Sequence, residues 1–246
     1  MKTINAKGIS FRDLNQMVRN AIQDGEKEIL LKNVNGQYYI ANGLRGNDIR
    51  ITIEGVPGND LCAFMDGPTV IVKANGQDNI GNTMNDGKII IHGHAGDVLG
   101  YAMRGGKLFI KDDVGYRIGI HMKGFMDKIP VIVIGGTARD FLGEYMAGGI
   151  LILLGLNRTN GQPIAGDYLG TGMHGGVMYI KGDVDPHRCG KEIGIAELDE
   201  KDMECLETNL KEYCLDLGLD FSKTISGKFT KIYPKTSRPY GRLYAY

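Results

Sequence analysis

Residues 95–110 read Ala-Gly-Asp-Val-Leu-Gly-Tyr-Ala-Met-Arg-Gly-Gly-Lys-Leu-Phe-Ile, and the same frame recurs along the chain. Leu61, Ile80, Leu99, Ile118, Leu142 and Leu169 each precede a methionine by four residues: Met65, Met84, Met103, Met122, Met146 and Met173. The first three steps are 19 residues each (61 to 80, 80 to 99, 99 to 118), and the last two are 24 and 27. Two residues after the methionine stands Gly67, Gly105, Gly124, Gly148 or Gly175, with Asp86 in the remaining copy. A weaker copy opens at Ile40, with Leu44 in the methionine place. A fixed period near this length marks a solenoid, in which each repeat buries its apolar side only against its neighbours.

The content of one coil follows from the residues after the methionine. The fifth position is Val70, Ile89, Leu108, Ile132, Leu151 or Met178, and the seventh is Val72, Ile91, Ile110, Ile134, Leu153 or Ile180. In the fourth copy the frame is corrected for five residues inserted between Met122 and Val131. Both positions are apolar throughout, the period-two signature of a short strand's inward side. The glycines leave no room for a helix of ordinary length. One strand per coil, stacked in parallel at roughly 4.8 Å, would line up the methionines and aliphatics as ladders that form the core. Glycine supplies the corners where the chain needs positive φ or close approach. The crossover rule gives the coil a right hand. The expected fold is mainly β: a single-stranded right-handed parallel β-helix with flanking N- and C-terminal helices.

The sixth position should face outward, yet it is also apolar: Ile71, Ile90, Phe109, Val133, Ile152 and Tyr179. A solvated strand face would be polar there. This stripe is therefore predicted to lie under the terminal helices or another subunit. Residues 1–34 are expected to be a capping element. Ser10 caps a helix with Asp13 three residues on, and Leu14, Met17, Val18, Ala21 and Ile22 make its apolar face. Gly25 stops it, and Glu28 to Leu31 supply the first rung. Residues 35–190 hold the coils, with excursions at Phe125–Ile129 and Leu156–Ile164. In residues 191–246, a second helix runs within Glu197–Gly218, capped by Asp199, with Met203, Leu206, Leu210, Tyr213, Cys214 and Leu217 on one face. The tail mixes Lys228, Lys231, Lys235, Arg238 and Arg242 with Phe229, Tyr233, Tyr240, Tyr244 and Tyr246. Such a mixture can bind single-stranded nucleic acid. In a neutral protein a tail that docks on protein is the stronger expectation.

Composition narrows the function classes. The chain has 246 residues, with 29 Lys plus Arg against 29 Asp plus Glu. Neutrality gives no electrostatic reason to expect nucleic acid or a membrane surface as partner. No apolar run approaches the roughly 20 residues of a membrane span. The N-terminus lacks a signal peptide's apolar core, so a cytoplasmic location is expected. Cys62, Cys189, Cys205 and Cys214 form no CxxC pair, which removes the strong zinc and redox patterns.

No catalytic constellation emerges from the motifs. His92, His94, His121, His174 and His187 are expected to be corner or surface residues; a metal site from His92, His94 and His121 is the minor alternative. The glycine pairs lead into strands, so they lack the helix N-terminus that a phosphate-binding loop requires. Asp112-Asp113 fits a solvated turn. No catalytic, cofactor-binding or metal-binding residue is assigned.

The repeat Ala-Gly-Asp-Val-Leu-Gly…Met-Arg-Gly-Gly, its recurrence as Ala-Gly-Asp-Tyr-Leu-Gly…Met-His-Gly-Gly at 165–176, and the helix opened by Glu-Leu-Asp-Glu-Lys-Asp resemble the GXGXG domain that ends the large (alpha) subunit of glutamate synthase. Phe229-Thr230-Lys231-Ile232-Tyr233-Pro234 fits as well, and the resemblance covers most of the chain from about residue 35. In that family the β-helix accompanies a glutamine amidotransferase domain and an FMN-binding synthase domain. Together these hydrolyse glutamine, pass on ammonia and reductively aminate 2-oxoglutarate to glutamate. The resemblance implies a stand-alone, non-catalytic structural subunit, with FMN and iron–sulfur clusters on partner subunits and none on this chain. It implies amidotransferase and FMN synthase-type partners, and leaves homo-oligomerisation open. Two alternatives stand beside it: the C subunit of a formylmethanofuran dehydrogenase-like complex, and a self-contained enzyme using His92 or His174.

Overall fold

The computed structural model describes residues 1–159 and 161–237. Their strands form one sheet of 11 in a mainly β solenoid. β2 (Glu28–Asn35), β3 (Arg50–Val56), β4 (Asp66–Val72), β5 (Asp86–Ile91), β6 (Lys107–Ile110), β7 (Val131–Ile134), β8 (Ala147–Leu153) and β9 (Gly175–Lys181) follow one another in sequence order, each pair parallel. Each coil contributes one strand, as the period-two signal requires. The register is that of the repeat: Ile51, Val70, Ile89, Leu108, Ile132, Leu151 and Met178 sit one above another.

The core is the interior of the coil. All six repeat methionines are fully buried, and so are the fifth and seventh positions, so both ladders point inward. The sixth position forms a second core on the sheet's other side, where Ile90, Phe109, Val133, Ile152 and Tyr179 are buried against Leu206, Leu210, Tyr213, Cys214 and Leu217. Those residues belong to α2 (Glu200–Leu217), which Asp199 caps through a reciprocal box with Asp202 and Gly218 ends in the left-handed conformation. The outer stripe is thus covered by the chain's own C-terminal helix. At 18 residues α2 is about 27 Å long. That is enough to cross β5 to β9, whose four spacings total about 19 Å. Ile71, one strand further down, is accordingly only half-buried. Met203, expected on the buried face, is instead exposed.

Polar bonds fix α2 at both ends. The Tyr213 hydroxyl donates to the Ile110 carbonyl at 3.0 Å, and its ring meets Phe109 edge to face at 5.5 Å. Lys88 pairs with Asp216 at 2.8 Å, and both Lys88 and Lys107 pair with Glu212. Near the helix start, Tyr179 and Lys231 both donate to Asp202 at 2.7 Å.

The two ends of the stack depart from the sequence-based expectations. Glu28–Leu31 is not the first rung: β1 (Lys2–Asn5) pairs parallel below it. The helix α1 (Phe11–Gln23), capped by Ser10, is therefore the crossover between two rungs. It replaces a turn segment, burying Leu14, Val18 and Ala21 while Met17 is exposed. From it Asn15 and Arg19 donate to the Tyr38 and Asn42 carbonyls of the coil above. At the other end the tail turns back. β11 (Phe229–Pro234) pairs antiparallel with β9, and β10 (Ile193–Ala196) pairs antiparallel with β11. The segment read as a docking tail thus first completes its own sheet and covers the open edge. Between them α3 (Phe221–Ile225) packs on α2. Arg238, Tyr240, Arg242, Tyr244 and Tyr246 lie outside the described residues, as does Asn160 of the Leu156–Ile164 excursion.

Candidate functional site

Opposite the sheet, every coil closes through a segment that begins one residue before the repeat's leucine or isoleucine. In residues 98–102 the backbone alternates: Val98, Gly100 and Ala102 have φ of 59°, 66° and 49°. The alternation aims successive N–H groups in opposite directions. Val98 and Ala102 donate to Tyr116 and Ile120 in the next coil, whereas Gly100 donates to Ile80 in the coil before. Other coils repeat the pattern, so these turns form a second hydrogen-bonded wall. The central residue points into the core and is glycine in most copies. A Cβ on Gly100 would lie 2.5 Å from Ile132 Cδ1. In the first copy the buried Cys62 adopts the same conformation, at φ 60°.

Rings stand at or beside the outer positions of this wall: Tyr39, Phe64, Tyr145 and Tyr168 occupy them, and Tyr38, Tyr101 and Tyr116 flank them. Tyr38, Tyr39, Phe64, Tyr101, Tyr116, Tyr145 and Tyr168 are all exposed, between 36% and 56%. Neighbouring coils bring rings together: His121 stacks on Tyr145 at 5.3 Å and meets the edge of Tyr101 at 5.9 Å, and Phe141 stacks on Tyr168 at 4.8 Å. The Arg117 guanidinium lies 4.5 Å over Phe141 and pairs with the buried carboxylate of Glu144. Along one edge runs a row of acids. Asp78, Asp97 and Asp140 each accept, through Oδ1, the N–H of Asp97, Tyr116 and Asp167 at 2.9 Å. The glycine before each donor makes room for this, since a Cβ on Gly96, Gly115 or Gly166 would collide with the carboxylate below. At the wall's upper end an open cleft of about 520 Å³ is lined by Tyr168, Thr171, His187, Cys189 and Glu192 among others.

The histidines do not converge. His92 Nε2 is 3.0 Å from Lys73 Nζ, and burial together with the charges of Lys73 and Lys111 lowers its pKa. His94 lies 3.9 Å from Asp113, His121 is on the ring-bearing wall, and His174 Nδ1 is 3.1 Å from the Gly172 carbonyl. Among the described residues no group of three or more His, Cys, Asp or Glu is placed to hold a metal ion. All four cysteines are free, and burial raises the pKa of each thiol. Sequence motifs single out the histidines and cysteines and pass over the wall. Its signal is present in the rings near the repeat's leucine or isoleucine in every copy but that of Ile80. A left-handed backbone turns Tyr39, Phe64, Tyr145 and Tyr168 outward, and Tyr38, Tyr101 and Tyr116 sit next to residues in that conformation.

Comparison with known proteins places this architecture. The sequence matches the GXGXG motif family over residues 13–238. The chain belongs to the GXGXG family. Within that setting, an uncharacterized protein of Methanocaldococcus jannaschii, MJ1350, is 46% identical over 98% of this chain and 95% of its own length. Among solved structures, a chain of the formyltransferase/hydrolase complex FhcABCD from Methylorubrum extorquens, determined with methylofuran, superposes with a TM-score of 0.62. That match covers 93% of this chain and 89% of the other at 18% identity, a likeness of fold. No described helix is long and apolar enough to cross a membrane.

Proposed function

We propose that this chain is a non-catalytic structural subunit of a multi-subunit complex of the glutamate synthase type. It holds a glutamine amidotransferase subunit and an FMN-bearing synthase subunit, with the flavin and iron–sulfur clusters on those partners, in the cytoplasm. The observation that carries the proposal is the ring-bearing wall. Exposed aromatic side chains at this density, on a backbone fixed by inter-coil hydrogen bonds, are the composition of a protein interface core. The choice of complex rests on two segments that resemble the glutamate synthase domain: the opening of α2 and strand β11.

Isolation through a tag on this chain, with mass spectrometry of what accompanies it, tests the reading. Both an amidotransferase and a flavoprotein are expected. Glutamine- and 2-oxoglutarate-dependent glutamate formation should fall when this chain is depleted and return when it is added back. Full activity without it sinks the proposal. The structural neighbour favours a second reading, a scaffold in a formyl-transferring complex. Recovery of partners that bind a methylofuran-like carrier would establish that one instead.

A further inference from the structure

We infer that the wall receives a partner protein's cationic face, one that sets guanidinium or ammonium groups against the rings and the acid row. The inference rests on the proposed subunit role and says which surface is used and what chemistry fits it.

Three observations carry it. The rings are exposed on a fixed backbone, because Tyr39, Phe64 and Tyr145 donate their N–H to the adjacent coil, Tyr116 donates to the Asp97 side chain, and Tyr101 stands between Gly100 and Ala102, which are bonded to the coils on either side, so little backbone freedom is lost on docking. The wall already holds one guanidinium in the proposed manner, since Arg117 lies between the face of Phe141 and the carboxylate of Glu144. Finally, the acid row is unspent. Asp78, Asp97 and Asp140 use Oδ1 for the ladder, and Oδ2 of each has no partner among the described residues. Of the bases beside the row, Arg117 is tied to Glu144 and Arg188 to Asp167; Arg139, with no ion pair among the described residues, balances one charge of the three at most. Single-stranded nucleic acid also stacks on rings, but its phosphates would face this row and be repelled.

The ladder itself supplies a clean test variant. Asn59 and Asn75 already fill the same role, accepting the N–H of Asp78 and His94 through Oδ1. Asp78→Asn, Asp97→Asn and Asp140→Asn combined should therefore remove three charges and leave the fold intact, with an unchanged melting temperature as the control. The complex is isolated from the native source through a tag on the full-length chain, with p-benzoylphenylalanine in place of Tyr101. Irradiation is expected to label a partner protein within a few residues of arginine or lysine. The triple variant is expected to bind at least ten-fold more weakly and to show a shallower salt dependence. Partners that co-purify without being labelled from position 101 overturn the inference and leave the subunit role standing. Labelling with no effect of the triple variant overturns the cationic chemistry, as does labelling of nucleic acid. The absence of any partner overturns the inference together with the subunit role.

Discussion

At the scale of single residues, the fold puts glycine to two uses that the sequence cannot distinguish. Gly8 has φ of 74° and open space where a Cβ would stand, with no atom within 4 Å, whereas Gly100 has φ of 66° and a neighbour at 2.5 Å. Gly8→Ala should cost only backbone strain, about 1 kcal/mol. Gly100→Ala adds overpacking of the core and should cost about 2–4 kcal/mol, read from urea unfolding. Equal losses would mean that the interior yields around Ile132. Val98 is the converse case, a β-branched residue at φ 59° where the coil below has Asn79 at 62°. Val98→Asn should stabilise by about 1 kcal/mol. The inward methionines were legible from period alone. Met103→Asp buries an unpaired charge and should cost several kcal/mol. The outward rings were not legible, because left-handed residues in each turn, Tyr39, Phe64, Tyr145 and Tyr168 among them, break the alternation of faces that a strand would show.

Elements differ in how much of their environment they announce. The capping residues of α2 and, Met203 apart, its apolar face were readable, since both depend on neighbours within a few positions. Its ion pairs with strands more than 100 residues away were not. The pair around Asp202 gives this helix a pH dependence. Burial pushes the Asp202 carboxyl up, but hydrogen bonds from Lys231, the Asp199 backbone and Tyr179 outweigh it and hold the pKa below the usual carboxylate range. A depressed native pKa stabilises the fold above the unfolded value near 4, and that stability is lost as pH falls further, through the native value. Asp202→Asn should therefore flatten the fall in stability below about pH 4 while lowering stability at pH 7. Unchanged acid sensitivity would place its origin elsewhere. Tyr213→Phe should cost only about 1 kcal/mol, because the Ile110 carbonyl keeps a second donor, the Gly135 N–H.

For the molecule as a whole, two hydrogen-bonded walls enclose one core. The turns opposite the sheet should accordingly exchange amide hydrogens as slowly as the strands, although they are not strands themselves. Fast exchange at Gly100 and Gly119 would show that the wall opens independently. The ends should be more fragile. Deleting residues 229–246 removes β11 and bares the edge of β9, so the shortened chain should self-associate, visible in sedimentation.

The repeat alone determined the solenoid, its one strand per coil and its methionine-lined interior, because a 19-residue period forces identical positions into stacked contact whatever the details of the turns. It also set the apolar outer stripe that had to be covered. Which element covers that stripe, that Lys2–Asn5 adds a rung below the first expected one, and that Phe229–Pro234 returns antiparallel to close the far edge were decided only by tertiary structure. Each depends on where non-repeating segments meet the ends of the stack, and those segments carry no period to reveal it. The ring-bearing face was settled the same way, by backbone conformations that residues in neighbouring coils impose on one another through their hydrogen bonds.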